Sequence, residues 1–368
     1  VVSSTGSAAV LVEPHRLETW EVPVADPEPG GVLARIVLGG VCGSDVHLYT
    51  GSAGTLPFPV VLGHEGIARI EKLGAGVTTD YAGAPVAEGD LIFWSPTPLC
   101  GRCHACSVVG DPPCENSDFF EHAEKPNWGA FAEWAWIPST MAFYKLPEGA
   151  DPEALAALGC ALPTVMGGFE HAGGVQVGDS VLVQGAGPVG LSGVLLAAES
   201  GAEQIVVIAG NERKLEIARQ LGATHVVSTK GTTREERREQ VRDIVGPHGP
   251  RFVFEAAGTL DAFPEGFDLT ADHGTYLIQG LWGATGTVEI EPRLFTIKNI
   301  KVVGDSFHKN RDYYRAMKLA ARVQDRVGLA SLITDRFAVS DTLAALRCVE
   351  SGSAIKAVID PSIGGSNA

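Results

Sequence analysis

Four of the seven cysteines crowd into one short segment, and that is the strongest chemical signal in the chain. Cys100, Cys103 and Cys106 repeat at three-residue spacing, and Cys114 follows after seven further residues. Four thiolates this close match a closed tetrahedral zinc site, in which the protein fills every coordination position and the metal is structural. The alternative is four reduced thiols on a solvent-facing loop, which has no packing reason to hold them. His104 lies inside the run, but four sulfurs already complete a tetrahedron.

A second set is scattered. Cys42 opens the run Cys42-Gly-Ser44-Asp45-Val-His47, His64 sits in Gly63-His64-Glu65, and Cys160 stands far downstream. Alone, each piece reads as an ordinary packed residue. Together they supply two thiolates and one imidazole, and three protein ligands leave a fourth position for water or substrate, as at a catalytic zinc. Asp45 could accept the other ring N–H of His64 and fix its tautomer.

The third constellation is Gly185-Ala-Gly187-Pro188-Val189-Gly190, directly after Val181-Leu182-Val183-Gln184. Between a strand and a helix, the first glycine allows a tight turn, the second admits a pyrophosphate and the third lets helix pack on strand. The helix N-terminus then offers N–H groups to the phosphates. An NAD-preferring fold carries Asp or Glu at the end of the next strand; here the run is Ile208-Ala209-Gly210-Asn211.

These residues need elements to hold them. Up to about residue 160 the chain shows short β-like runs broken by Gly and Pro, such as Val32 to Leu38 and Asp90 to Trp94, with few helical patterns. From about residue 175 the texture alternates. Strands at 181–183, 205–208, 226–227, 252–254 and 276–278 are interleaved with helices at 189–200, 212–221 and 234–244. That alternation implies a parallel sheet covered on both faces. After Gly304 the sequence predicts a helix over 310–323, another over 340–350 with Ser340 as N-cap, and a last strand over 355–359.

Composition sets outer bounds. A chain of 368 residues has room for about two domains. A net charge of −16 with no basic run argues against nucleic acid and anionic membrane partners. No stretch of 18 apolar residues predicts a transmembrane helix. Val1 to Val10 has no secretory pattern, which makes the cytoplasm the expected compartment.

The whole set, in this order and from about Val32 to Val358, resembles the zinc-containing alcohol dehydrogenases of the medium-chain dehydrogenase/reductase superfamily. The resemblance implies an α/β fold: a GroES-like, mostly-β catalytic domain over 1–161 and 305–368, with a structural-zinc lobe at about 95–120, and a Rossmann-type doubly wound cofactor domain over 162–304. It implies two zinc ions per chain, a nicotinamide cofactor, a small alcohol or carbonyl substrate, and a homodimer or homotetramer. By resemblance, Cys42, His64 and Cys160 bind the catalytic zinc with Glu65 as the carboxylate behind it, and Cys100, Cys103, Cys106 and Cys114 bind the structural zinc. Ser44 would hydrogen-bond the substrate oxygen and His47 would end a proton relay. Thr164, Gln279 and Leu281 would border the nicotinamide, Lys214 the adenosine ribose and Lys356 the pyrophosphate, with Gly185, Gly187, Pro188, Val189 and Gly190 at the phosphates and Ala209 and Asn211 near the ribose. Cys160 resembles the alcohol dehydrogenase branch rather than polyol and threonine dehydrogenases, which tend to place a carboxylate there.

Two departures bear on the cofactor. Gly43 stands where some members carry a base, and Ala209 stands where NAD enzymes carry an acid. Arg213 could accommodate a 2′-phosphate, while Glu212 opposes one; the balance favours NAD over NADP. A zinc-containing reductase acting on C=C or C=N bonds, and a non-catalytic NAD(P)-binding protein, remain as rival readings. Ser44 and His47 argue against the first, and an intact ligand set argues against the second. Trp94, Pro96, Phe119, Phe120, Trp128 and Leu281 are candidate pocket residues by nearness to the ligands, and Ser44, smaller than Thr, leaves room for a secondary alcohol. Cys348 is expected as a small buried hydrophobe in the last helix.

Overall fold

The computed structural model describes residues 2–52, 56–110, 113–116, 120, 122–306 and 309–364. Phe119, a candidate pocket residue, lies outside the described residues. The chain divides into two compact units, one formed by residues 1–160 and 309–368 and the other by 161–308.

In the first unit the chain runs through β1 (Val2–Glu13), β2 (Arg16–Ala25), β3 (Val32–Val41), α1 (Gly43–Thr50), β4 (Val60–Val61), β5 (Gly66–Leu73), β6 (Leu91–Trp94), β7 (Trp134–Ile137), β8 (Phe143–Lys145) and α2 (Pro152–Leu158). Strands β2, β1 and β4 form one small antiparallel sheet. Helix α1 is not legible from apolar periodicity. It forms because Asp45 accepts the Cys42 N–H at 2.9 Å and caps the first turn, and it stops at Gly51, whose φ of 75° is left-handed.

The second unit contains α3 (Ala161–Ala172), β9 (Ser180–Gln184), α4 (Pro188–Glu199), β10 (Gln204–Ala209), α5 (Glu212–Gln220), β11 (His225–Ser228), α6 (Arg234–Val245), β12 (Phe252–Glu255), α7 (Ala262–Leu269), β13 (Thr275–Ile278), α8 (Arg293–Lys298) and β14 (Lys301–Gly304). Its six strands are parallel, in the order β11-β10-β9-β12-β13-β14. That order reverses between β9 and β12, and such a switch point is where doubly wound sheets bind ligands at their C-terminal ends. Leu182, Val206 and Val253 on adjacent strands are fully buried, as expected of a sheet covered on both faces.

The chain then returns to the first unit with α9 (Asn310–Val327), β15 (Ile333–Phe337), α10 (Thr342–Glu350) and β16 (Lys356–Ile359). Strand β16 lies between β15 and β3, so the last segment completes the seven-stranded sheet β15-β16-β3-β5-β6-β8, with β7 also on β3. Its Ala357 and Ile359 join the same buried core as Ile36, Trp94 and Phe131. Helix α10 starts later than expected: a 3₁₀ turn spans Val339–Asp341, and Asp341, not Ser340, holds the N-cap position. Cys348 is partly buried against this core, with Sγ 3.4 Å from Ser353 Oγ.

Three candidate pocket residues belong to the interior of this unit. Trp94 is fully buried, and a Cβ at Gly66 would overlap its indole. Phe120 and Trp128 stack on each other with ring centroids 5.4 Å apart, and both are members of the main core. Their bulk is used in packing, which is the ordinary fate of large aromatics. Among the described residues, no helix is long and apolar enough to cross a membrane.

Candidate active site

The scattered ligand set converges. Cys42 caps α1, His64 lies between β4 and β5, and Cys160 follows α2. Their ligand atoms, with a carboxylate oxygen of Glu65, all lie within 4.8 Å of one another. Cys42 Sγ is 3.3 Å from His64 Nε2. The other ring nitrogen, Nδ1, is 3.1 Å from Asp45 Oδ1 in a buried contact. Donation from Nδ1–H to the carboxylate leaves the Nε2 lone pair facing the two sulfurs, which is the tautomer a metal ligand needs. Asp45 thus acts twice, with one oxygen capping α1 and the other orienting His64.

The two thiols are electrostatically coupled. A hydrogen bond from Cys160 pulls Cys42 well below the usual thiol range, against its burial, with His64 adding to the effect. Cys160 is pushed up correspondingly by the same hydrogen bond and by burial. Two sulfurs this close cannot both ionise without a cation between them, and a divalent metal is such a cation. The donor set therefore fits zinc.

Ser44 and His47 both ride on α1. Ser44 Oγ lies 2.8 Å from Cys42 Sγ and 3.4 Å from His64 Nε2, so its hydroxyl borders the converged ligands. His47 is partly exposed one turn further on, with Nδ1 3.0 Å from Ser52 Oγ. Gly43 faces open space.

Lys356, which the resemblance implies at the pyrophosphate, has a buried side chain whose Nζ forms an ion pair with Glu65 Oε2. The reason is its place on β16, an inner strand of the sheet beside β3. Glu65 Oε1 accepts the Cys160 N–H at 3.0 Å. Both carboxylate oxygens have partners, and a Glu65 oxygen lies within 4.8 Å of the Cys42, His64 and Cys160 ligand atoms.

The four clustered cysteines also come together, with sulfurs within 4.8 Å of one another. Cys103 and Cys114 sulfurs are 3.9 Å apart, close to the edge of about 3.8 Å in a tetrahedron with Zn–S bonds of about 2.3 Å. Backbone N–H groups point at the sulfurs: Arg102 to Cys100 at 3.5 Å, Cys106 to Cys103 at 3.4 Å, and Asn116 to Cys114 at 3.4 Å. The Asn116 side-chain amide adds a contact to Cys100 at 3.4 Å. Such N–H···S bonds favour thiolates and suit a metal-bound state.

In the second unit the glycine turn has the anticipated form. Gly185 adopts φ 97°, and a Cβ there would press on the Ala256 carbonyl. Gly187 is the N-cap of α4 and a Cβ there would meet nothing within 4 Å, so its backbone is open to a large ligand. Pro188 and Val189 begin the helix, and Gly190 packs against the Gly185 carbonyl. The sequence reading missed Gly193, whose Cβ would touch the Phe254 ring at 2.5 Å; its signal was three-residue spacing after Gly190 on the face toward the sheet.

Around the strand ends, Ala209 closes β10 and Asn211 caps α5, its Oδ1 accepting the Lys214 N–H at 3.2 Å. Lys214 is half-buried in the first turn of that helix. Glu212 accepts from Ser228 Oγ at 2.9 Å, which brings a carboxylate to the ends of β10 and β11. Gln279, after β13, donates to the Thr164 carbonyl at 2.9 Å and to Asp305 at 3.2 Å. Its Oε1 is buried without a partner, an acceptor that an amide donor such as a nicotinamide carboxamide would satisfy. Leu281 lies in the 3₁₀ turn Gly280–Gly283 and is partly exposed. An open glycine turn at a helix N-terminus beside the switch point and an orphan acceptor after β13 fit a dinucleotide.

Comparisons with known proteins agree with this chemistry. Residues 28–148 match the alcohol dehydrogenase GroES-like domain, and residues 188–322 match the zinc-binding dehydrogenase domain. The chain is 58% identical to 5-exo-hydroxycamphor dehydrogenase of Pseudomonas putida over 97% of its own length and 99% of that protein's. It is 30% identical to an L-threonine 3-dehydrogenase of Rhizobium johnstonii, covering 98% of this chain and 99% of that one. Among solved structures, an alcohol dehydrogenase of Thermotoga maritima superposes with a TM-score of 0.88 at 29% identity, covering 97% and 99% of the two chains. A zinc-binding dehydrogenase of Sinorhizobium meliloti solved with NADP gives 0.84 at 25% identity, covering 98% and 100%. The fold, the converging thiol–imidazole set and these matches lead to one conclusion: the chain belongs to the zinc-containing alcohol dehydrogenases of the medium-chain dehydrogenase/reductase superfamily, enzymes that interconvert alcohols and carbonyl compounds by hydride transfer to or from NAD(P).

Proposed function

We propose that this enzyme oxidises a bulky secondary alcohol of the hydroxylated bicyclic type to the ketone, with NAD as acceptor and two zinc ions per chain. One zinc is held by Cys42, His64 and Cys160, and the other by Cys100, Cys103, Cys106 and Cys114. The observation that carries the reading is Ser44 Oγ, set 2.8 Å and 3.4 Å from two atoms of the converged ligand set. A hydroxyl there can accept a proton from an alcohol bound at the fourth position, and a serine leaves room for two substituents on the alcohol carbon. The 58% identity to an enzyme named for 5-exo-hydroxycamphor, itself a secondary alcohol on a ring, supports the same class.

When bound, zinc supplies a Lewis acid at the substrate oxygen, and the nicotinamide supplies the hydride acceptor. The chain's own residues do the rest. Ser44 orients the hydroxyl and takes its proton as the serine's own hydroxyl proton moves on. His47, one turn along α1 and partly exposed, passes that proton toward solvent. Asp45 holds His64 in the ligating tautomer. In the dinucleotide unit, Gly187 leaves space for the pyrophosphate and the start of α4 presents N–H groups to it.

The cofactor choice rests on Glu212. No acid stands at Ala209, but Glu212, held by Ser228, brings negative charge to the adjoining strand ends and would repel a 2′-phosphate. Arg213, exposed beside it, is the opposing influence. A homodimer or homotetramer, which rests on family resemblance, and a cytoplasmic location belong to the same reading.

The test is zinc content per chain, measured together with NAD- and NADP-linked turnover on 5-exo-hydroxycamphor, simple primary and aromatic alcohols, and L-threonine. Two zincs and the highest kcat/KM on hydroxycamphor with NAD are expected. A preference for L-threonine or a primary alcohol would overturn the substrate class, and a preference for NADP would overturn the role given to Glu212.

A further inference from the structure

A buried carboxylate stands at the switch point of the parallel sheet, and neither the metal chemistry nor the glycine turn uses it. Glu255 is the last residue of β12, which pairs with β9 on one side and β13 on the other. Its side chain is fully buried. A carboxylate is costly to bury unless donors surround it. Here the donors are backbone N–H groups from two loops.

The first loop follows β12. Glu255 Oε1 accepts the N–H groups of Ala257 and Gly258, both at 2.8 Å, while Oε2 is buried without a hydrogen-bond partner. The second loop follows β13. Burial pushes the Glu255 pKa up, and the N–H groups of Gly258, Ala257, Gly280 and Leu281 all oppose that rise. The two loops cross closely over the carboxylate. A Cβ at Gly280 would meet Gly258 N at 2.7 Å and Glu255 Oε1 at 2.8 Å. Gly258, at φ 71°, would bring a Cβ to 2.9 Å from the Gly280 carbonyl oxygen. Both crossing positions are therefore kept bare. The main chain adds a further tie, because the Gln279 N–H donates to the Glu255 carbonyl at 3.1 Å.

One side chain thus fixes the rim where the strands of a doubly wound sheet end and its ligand binds. A loop that is already ordered spares the cofactor the cost of ordering it. We propose that Glu255 is a positioning residue for the cofactor: its carboxylate ties the loop after β12 to the loop after β13 and so holds ready the segment, with Leu281, that receives the nicotinamide half of the dinucleotide. The proposal rests on the reading of this unit as the NAD site with Leu281 beside the nicotinamide. The adenosine half lies elsewhere in the same reading, at Asn211 and Lys214 beyond β10, with β9 between that end and β12.

The experiment uses the full-length, zinc-loaded enzyme as wild type, Glu255→Gln, Glu255→Met and Gly280→Ala. The readout is the Kd for NADH and, separately, for AMP, which carries only the adenosine half, both by calorimetry. Glu255→Met fills the same space without an acceptor and is expected to weaken NADH about 30-fold, the scale of losing hydrogen bonds to a charged group, with AMP bound as in wild type. Glu255→Gln keeps an acceptor where Oε1 lies and is expected to retain most of the NADH affinity. A role in packing alone would be met by Met as well as by Gln. Gly280→Ala leaves the carboxylate in place but forces the loops apart, and is expected to weaken NADH and not AMP; it carries the test should the Met variant not fold. Wild-type NADH affinity in Glu255→Met or in Gly280→Ala would overturn the proposal. So would a parallel loss of NADH and AMP, which would mark Glu255 as a general support of the fold, and so would a Gln variant as weak as the Met variant. A wild type that binds neither NADH nor AMP would instead overturn the underlying reading of this unit as a dinucleotide site.

Discussion

The two thiol clusters solve the same problem in opposite ways. The Cys100–Cys114 cluster is local: its sulfurs lie on one stretch of chain near the surface, and the stretch satisfies them itself through N–H···S contacts from Arg102, Cys106 and Asn116. The Cys42 cluster is assembled from distant segments and buried. Each ligand is held by a different partner: His64 by Asp45, Cys160 by Glu65, and Glu65 in turn by Lys356, which is 291 residues away in the chain. A local cluster can be closed and needs only its own loop. An open catalytic position needs rigid support from outside, because the missing fourth ligand cannot contribute to holding the other three.

The sharpest way to break this comparison is to remove one ligand from each cluster. His64→Ala should lower kcat/KM by about 10³-fold, the scale on which losing a principal electrostatic stabiliser acts, with little change in melting temperature. Cys103→Ser should do the reverse, lowering Tm by at least about 5 °C and releasing one zinc, because it opens a site whose metal binding is part of folding. Parallel activity and Tm measurements decide the matter. Equal loss of stability in both variants would mean that the clusters are not divided into catalytic and structural roles.

A smaller effect sharpens the buried side. Asp45→Asn keeps the shape but can present its amide to His64 Nδ1, which favours the wrong tautomer. A loss of about 10- to 100-fold in zinc affinity at the Cys42 site is expected, measured by competition with a chelator. Unchanged affinity would remove Asp45 from the support of the metal. The smallest effect is on the local side. Asn116→Ala removes one of several N–H···S contacts, and the exposed lobe should lose only about 0.5–1 kcal/mol, visible as slightly faster zinc release. A loss as large as that of Cys103→Ser would show that the lobe, too, depends on a critical outside support.

Where an element is regular, its sequence pattern locates it closely. The glycine turn, with an apolar strand before it and an apolar helix after it, identified β9 and α4, and the helix expected over 189–200 spans Pro188–Glu199. Amphipathic α5, capped by Asn211, and α6, capped by Thr233, were equally plain. Helix α1 was not, because its order comes from one carboxylate cap rather than from an apolar stripe. Helix α3 was missed because Pro163, Gly167 and Gly168 disfavour a helix locally; packing and the Gln279 contact to Thr164 favour it. Phe120 and Trp128 were placed by nearness in sequence to the ligands, but their area is spent on the core, which spacing does not reveal.

Which residue types could hold metal and dinucleotide was decided by the sequence itself. Thiolates, imidazoles and a glycine turn have few other uses at such spacings, and the four-cysteine lobe is complete within one segment. The partnership of Lys356 with Glu65 was decided only by the tertiary structure. A lysine near the C-terminus has the same local signature whether it reaches a phosphate or a buried carboxylate. Which it meets depends on β16 inserting between β15 and β3, a long-range strand pairing that determines where the side chain is buried and so which charge it neutralises.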